Sequence, residues 1–248
     1  MLRHLFSKFF SSTPHILFSS LGTDIHSHLI PGIDDGAQNM DESIALVKDL
    51  YYLGFRKIVT TPHIMADFYK NTPEIILSGL DKLKLALRNE GIIVDISAAA
   101  EYYLDEFFVD KIGKEELLTF GDNYVLFELS FINKQPNLAD VIFQLKTNGY
   151  KPVLAHPERY RYWNKNIVAE CEKIKETGAY LQLNTISLTG FYGKDVRKNA
   201  RDLIDSGLID FIGSDTHKTR HLQALNLAEK DKYIQKLLNS GTLLNSKI

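Results

Sequence analysis

From residue 23 onward, short runs rich in β-branched and aromatic residues alternate with longer stretches whose apolar residues recur at helical spacing. That alternation limits the fold more than any bulk property does, because it is the pattern of parallel strands joined by crossover helices. The strand-like runs are 23–28, 57–61, 92–101, 124–129, 152–156, 179–184 and 210–214. Helical patterns occupy 41–53, 73–89, 138–147, 167–177, 194–206 and 221–239. In the second of these, Ile76, Leu80, Leu83 and Leu87 share a face, Thr72 is the N-cap, Pro73 takes the first turn and Gly91 is the stop. An α/β architecture follows, with seven strand units where the common barrel has eight.

Metal-binding residue types recur where these strands should end: His26, His28, His63, Glu101, His156, Asp215 and His217. In a parallel α/β barrel the loops after the strands make one rim, so side chains there converge on a single pocket. Imidazole and carboxylate hold Zn, Mn or Fe, and a set repeated at equivalent places points to a polynuclear hydrolytic centre. His26 and His28 are two residues apart, as are Asp215 and His217, so on extended chain each pair faces one way and can chelate an ion. The turn Pro31-Gly32-Ile33-Asp34-Asp35-Gly36 adds a carboxylate beside the first pair. Pro62 fixes the chain before His63, and three alanines precede Glu101, whose two oxygens suit a bridge between cations. Glu128 lies in an apolar run where burial without a cation would be costly.

Arg159 follows His156 by three residues, and its planar fork suits phosphoryl oxygens; the competing role is an ion pair with Glu158. Asp24 is placed either to orient His26 or His28 or simply to hydrogen-bond at a strand start. Tyr102, Tyr103, Phe107, Phe108, Tyr160, Tyr162 and Trp163 would suit an aryl phosphate beside such a site, or serve as packing. His4, His15 and His221 match no position of the pattern and read as surface histidines.

In order along residues 24 to 220, the motifs H-x-H, T-P-H, a strand-end Glu, A-H-P and S-D-x-H resemble the polymerase and histidinol phosphatase (PHP) superfamily of metal-dependent hydrolases. Asp24-Ile25-His26-Ser27-His28, the Pro31–Gly36 turn, Thr61-Pro62-His63, Ala155-His156-Pro157-Glu158-Arg159-Tyr160 and Ser187-Leu188-Thr189-Gly190 are similar to bacterial capsule-associated protein-tyrosine phosphatases. The resemblance implies a distorted seven-stranded parallel (β/α)7 TIM-like barrel and three divalent metal ions, Mn favoured over Fe, Zn or Mg. It implies metal ligands at His26, His28, Asp35, His63, Glu101, Glu128, His156, Asp215 and His217, and a phosphate-binding arginine at Arg159. For a second family arginine the nearby residue is Arg220, at a shorter spacing from the last histidine.

The substrate so implied is a phosphotyrosine protein, namely the cytoplasmic tail of a membrane tyrosine kinase that regulates capsular or exopolysaccharide synthesis. The chemistry agrees: clustered divalent ions screen a phosphate dianion and lower the pKa of bound water, so that a metal-bound hydroxide attacks phosphorus in line. Two other readings compete. One is a PHP phosphatase for a small phosphomonoester such as histidinol phosphate; the other is a metal-binding scaffold, catalytically lapsed, that docks to a membrane kinase.

At 248 residues and 44% hydrophobic the chain can bury a sizeable core, and no composition shift divides residues 23–248 into two domains. With 29 basic against 31 acidic residues the net charge of -2 gives no electrostatic grip on nucleic acid. The lone Cys171 cannot form an internal disulfide, which suits a reducing, cytoplasmic setting. Residues 1–22 form an N-terminal extension with Arg3, Lys8 and no acid, interrupted by Ser11, Ser12, Thr13, Pro14 and His15, unlike a signal peptide. The extension is expected to pack on the barrel or a partner; a second reading lays Leu2, Leu5, Phe6, Phe9 and Phe10 on the inner membrane peripherally, without stable insertion.

Overall fold

Residues 16–248 are described by a computed structural model, and across them the expected alternation becomes parallel strands separated by helices. The strands are β1 (Thr23–Asp24), β2 (Lys57–Thr60), β3 (His63–Ile64), β4 (Asp95–Ala98), β5 (Glu101–Tyr103), β6 (Tyr124–Glu128), β7 (Lys151–Ala155), β8 (Tyr180–Asn184) and β9 (Phe211–Gly213). The helices are α1 (Ile16–Leu21), α2 (Met40–Tyr52), α3 (Pro73–Asn89), α4 (Glu106–Lys111), α5 (Leu138–Thr147), α6 (Ile167–Glu176), α7 (Lys194–Asp205), α8 (Thr219–Ala228) and α9 (Lys232–Asn239). None of them is long and apolar enough to cross a membrane.

The ladders form a three-stranded sheet, β1-β2-β4, and a six-stranded sheet, β3-β5-β6-β7-β8-β9, in place of one seven-stranded sheet. The expected strand 92–101 is divided, and the expected strand 57–61 is followed by a further short strand. Pro62 has no N–H to give to a ladder, and the Thr61-Pro62 step separates β2 from β3; Ala99-Ala100 separates β4 from β5. Backbone bonds from Ala99 N to Thr60 O (2.9 Å) and from Glu101 N to Pro62 O (3.1 Å) still tie the neighbours together across both breaks.

No ladder joins β1 to β9. Side chains stand between them instead: Asp24 accepts from Ser214 N (2.8 Å) and Ser214 Oγ (2.7 Å), and Asn245 Nδ2 donates to Thr23 O and Ile212 O. Just beyond the strands, Asp215 N donates to His26 O (2.8 Å) and His28 N to Thr216 O (2.9 Å), which brings the first and last metal-binding motifs side by side.

Local sequence accounts for the helix starts. Asn39 Oδ1 accepts from Glu42 N at the head of α2, while Glu42 reaches back to Gln38 N, so two otherwise orphaned donors are satisfied. Thr72 and Asp105 cap α3 and α4 in the same way. The stretch 221–239 proves to be two helices, because α8 stops at Ala228 with Glu229 as its C-cap and Asp231 caps α9 through Tyr233 N. Neither α1 nor α4 was expected from periodicity, since each spans only six residues, too few to display a helical period.

Two apolar clusters fill the interior. The larger holds the helices against the sheets, and α1 belongs to it through Phe18, which stacks on Phe55 at 5.1 Å. The smaller takes Val59, Leu126, Val153 and Phe211 from strands, with Ile25 and Ala99 just beyond β1 and β4, and forms an apolar floor beneath the strand ends. Cys171 is buried within α6, where burial pushes its thiol up and keeps it protonated. Residues 1–15, with His4, His15 and the Leu2–Phe10 surface, lie outside the described residues.

Candidate metal centre

Strand ends and the loops after them deliver the candidate ligands to one place. Glu101 opens β5 and sits at the middle: its Oε2 lies 3.2 Å from His26 Nε2, 3.4 Å from His28 Nε2 and 3.2 Å from His63 Nδ1. Its other oxygen lies 3.0 Å from His156 Nε2. Glu128, the last residue of β6, approaches His63 Nδ1 at 3.4 Å. Asp35 stands at the mouth, half-exposed, between His63 Nε2 (3.5 Å) and His217 Nε2 (3.4 Å). Asp215 completes the ring, with Oδ1 at 3.5 Å from His26, 3.6 Å from His28 and 3.4 Å from His217.

Three overlapping groups have donor atoms close enough to share one ion each: His28, Asp35, His63 and His217; His26, His28 and Glu101; and His63, Glu101 and Glu128. His156 and Asp215 stand outside these groups but touch their members, as the distances to Glu101 and His26 show. Both have left-handed backbone, at φ 34° and φ 50°. For His156 this is doubly unusual, because a residue before proline favours extended backbone. Val153 and Ala155 point to the inner floor, so strict alternation would aim residue 156 away from it, and the left-handed turn brings the imidazole back to Glu101.

The donor set fits cations. Nδ1–H of His26 donates to Gln182 Oε1 (2.9 Å), and Nδ1–H of His28 donates to Asp34 Oδ2 (2.8 Å). Each bond turns Nε2 inward, and the two Nε2 atoms are only 3.3 Å apart, an arrangement that suits a shared cation and that the surrounding carboxylates favour, since against burial they raise both histidines. His63 Nδ1 and Glu101 Oε2 are buried with no hydrogen bond at all. Burial pushes His63 down to about 4, and burial with the charge of Arg159 pushes His156 to about 4, so both offer neutral imidazoles near neutral pH. Burial would raise Glu101, but His26 and His63 outweigh it and hold the carboxyl well below its ordinary value. Burial and then the charge of Glu101 raise Glu128 well above its own, a pressure that a bound cation relieves.

Arg159 donates from Nη1 to Asp215 Oδ2 (2.9 Å), and its guanidinium is sandwiched between Phe131 (4.7 Å) and Tyr192 (4.3 Å). The competing Arg159–Glu158 ion pair does not form. Glu158 is buried, accepting from Asn184 N (2.9 Å) and Ser187 Oγ (2.7 Å), and so ties the His156–Tyr160 turn to β8. Arg220 is exposed near the Phe191 ring at 6.0 Å and is in contact with His221, one step outside the cluster.

Residues 22–245 match the family model for capsular polysaccharide synthesis, CpsB/CapC. The chain belongs to the CpsB/CapC family. It is 33% identical over 214 residues to the tyrosine-protein phosphatase YwqE of Bacillus subtilis, an alignment covering 84% of each chain. It is 32% identical to the putative tyrosine-protein phosphatase CapC of Staphylococcus aureus, over 78% of this chain and 76% of that one. Among solved structures, those of YwqE and of CpsB from Streptococcus pneumoniae are described as unique metal-dependent tyrosine phosphatases. The match superposes with a TM-score of 0.79 at 29% identity, covering 91% of this chain and 94% of the other.

In this CpsB/CapC chain the structure decides between roles that the sequence left open and changes one of them. Of its two readings Asp24 takes the strand-start hydrogen bonds, both its oxygens accepting from Ser214, and the histidines are held by Gln182 and Asp34. His221 is no surface residue: it is buried, and its Nδ1 accepts from His217 N (3.1 Å), fixing the loop that carries His217. Tyr102, Phe108, Tyr160 and Trp163 are buried packing residues and leave no face for a substrate. Gly36 and Gly213 are required by space, since a Cβ on Gly36 would overlap His28 and one on Gly213 would lie 2.5 Å from the His26 Cβ.

Gln182 carried no signal of its own in the sequence, being an ordinary amide on a strand. Its Nε2 donates to Asn184 Oδ1 (3.0 Å), which sets the amide so that Oε1 faces His26. Gln182→Leu is expected to weaken the binding of a divalent metal ion by about tenfold, because His26 loses the bond that fixes its tautomer. Titration of the metal-free protein with Mn would measure this, and an unaltered Kd would remove Gln182 from the role.

Proposed function

We propose that the chain is a metal-dependent phosphomonoester hydrolase that removes phosphate from tyrosine in a protein. Its substrate on this reading is the cytoplasmic tail of a membrane tyrosine kinase that regulates capsular or exopolysaccharide synthesis, and the enzyme works in the cytoplasm. The observation that carries the proposal is the Glu101 carboxylate, with three imidazoles within 3.4 Å of Oε2 and no hydrogen bond on that atom. The tyrosine-protein phosphatase names of YwqE and CapC support the choice of substrate.

On this proposal His26, His28, Asp35, His63, Glu101, Glu128, His156, Asp215 and His217 hold three divalent ions, Mn favoured because imidazole and carboxylate together suit it. Bound there, the ions screen the phosphoryl charge and lower the pKa of water. Gln182 and Asp34 keep the His26 and His28 lone pairs turned inward. Arg159, steered by Asp215 and flattened between two rings, presents its remaining N–H groups to phosphoryl oxygens. The apolar floor from Ile25 to Phe211 keeps water from reaching the centre from below. The two sheets are read as one distorted seven-stranded barrel, with β2 and β3, and β4 and β5, each counted as a single interrupted strand. Residues 23–248 form its one domain, and residues 1–22 an extension.

Turnover of a phosphotyrosine peptide and of histidinol phosphate, each after chelation and again with Mn, tests the proposal. The peptide should be preferred, with activity lost on chelation and restored by Mn. Equal or better turnover of histidinol phosphate would overturn the substrate assignment, and full metal loading with no turnover of either would leave a lapsed scaffold.

A further inference from the structure

The loop after β6 is pinned from both sides. Leu129 N donates to Tyr160 Oη (2.9 Å), Tyr162 Oη donates to Ser130 O (3.0 Å), and Ser130 Oγ accepts from Ile132 N and Asn133 N. A loop held this firmly nevertheless turns two large apolar side chains outward, Phe131 at 39% exposure and Ile132 at 82%. Phe131 lies over the His156 ring (5.7 Å, 21° between planes) and against the Arg159 guanidinium at 4.7 Å. Apolar surface held in place beside a charged centre offers contact to an apolar part of a ligand bound there.

Resting on the phosphotyrosine reading, we infer that Phe131 and Ile132 form the wall that receives the substrate's tyrosyl ring and so set a preference for aryl over alkyl phosphate esters. A phosphoryl group gripped by Arg159 has its ester substituent beside one of the two rings that sandwich the guanidinium. Tyr192 is committed, its hydroxyl turned to Asp215 at 3.4 Å, whereas Phe131 retains exposed surface and is followed in the chain by the exposed Ile132. An aryl ring meets that surface in an offset or edge-on contact. The single methylene of a phosphoserine ends short of it.

The test compares kcat/KM for two peptides of the same sequence, one with phosphotyrosine and one with phosphoserine, in the Mn-loaded wild type, Phe131→Ala and Phe131→Tyr. Phe131→Ala should lower the phosphotyrosine value far more than the phosphoserine value, reducing their ratio by about tenfold. Phe131→Tyr keeps the flat face and should keep the ratio. Metal content and Tm, followed in parallel, report any structural damage. An equal loss on both peptides in Phe131→Ala, or an unchanged ratio, overturns the aryl wall while leaving the phosphatase reading in place. A wild type that fails to hydrolyse the phosphotyrosine peptide at all overturns both.

Discussion

Glu101→Gln is expected to leave the protein folded but nearly free of metal, with kcat/KM lowered by roughly 10³-fold or more. The substitution keeps the shape of the side chain and removes its charge and one of its two acceptor oxygens. Both oxygens are in use: Oε2 faces His26, His28 and His63, and Oε1 faces His156. An amide NH2 at either position would point hydrogens at imidazole lone pairs intended for a cation. Elemental analysis after gel filtration measures the metal, and thermal melting gives a second readout. Wild-type Tm should climb with added Mn, because binding to the native state alone stabilises it, while the variant's should stay flat. Full metal content and near-normal turnover in Glu101→Gln would show that the centre is not organised around this residue.

How far the fold and site could be read beforehand depends on the range of each interaction. α3 and α5 were legible to the residue because their apolar periodicity is local, and α3 adds the Thr72 cap. The sheet break at Pro62 was half legible: the missing N–H is a local fact, but its effect on the ladder depends on a neighbour some forty residues away. The seal between β1 and β9 was not legible at all. It relies on Asn245 meeting Thr23, a contact across most of the chain that leaves no pattern in either segment.

The candidate ligands were legible because imidazoles and carboxylates at strand ends are chemically distinctive, and parallel strands gather their ends on one rim. Residues that orient those ligands were not, since Gln182 and His221 act through contacts that only folding creates. The turn Asp34-Asp35 shows the boundary well. Sequence offered two adjacent carboxylates, and the structure divides their work: Asp34 is buried against His28 Nδ1 and Gly36 N, while Asp35 faces the mouth. The aromatic residues divide similarly. Those beside Glu101 and His156 in sequence are mainly core, and rings that border the site, Phe131 and Tyr69 among them, come from loops with no motif to mark them.

Arg159→Ala is expected to retain metal and fold while lowering kcat/KM by roughly 10²-fold or more, the effect of losing a charged contact to the phosphoryl group as it reacts. The variant separates clamp from ligand, because the site does not depend on Arg159 to hold Asp215. With the guanidinium gone, Asp215 Oδ2 still accepts from Asn184 Nδ2 (2.5 Å) and keeps Tyr192 Oη at 3.4 Å, so the carboxylate stays aimed at His26 and His217. Metal loss in Arg159→Ala would therefore reassign the residue to building the centre. Arg159→Lys sharpens the comparison: it restores the charge but neither the planar fork nor the stacking between Phe131 and Tyr192. Its rate should fall between those of the wild type and the alanine variant. If lysine recovers full activity, charge alone suffices and the ring sandwich has no part in catalysis; if alanine itself is as fast as wild type, Arg159 does not touch the reacting phosphate.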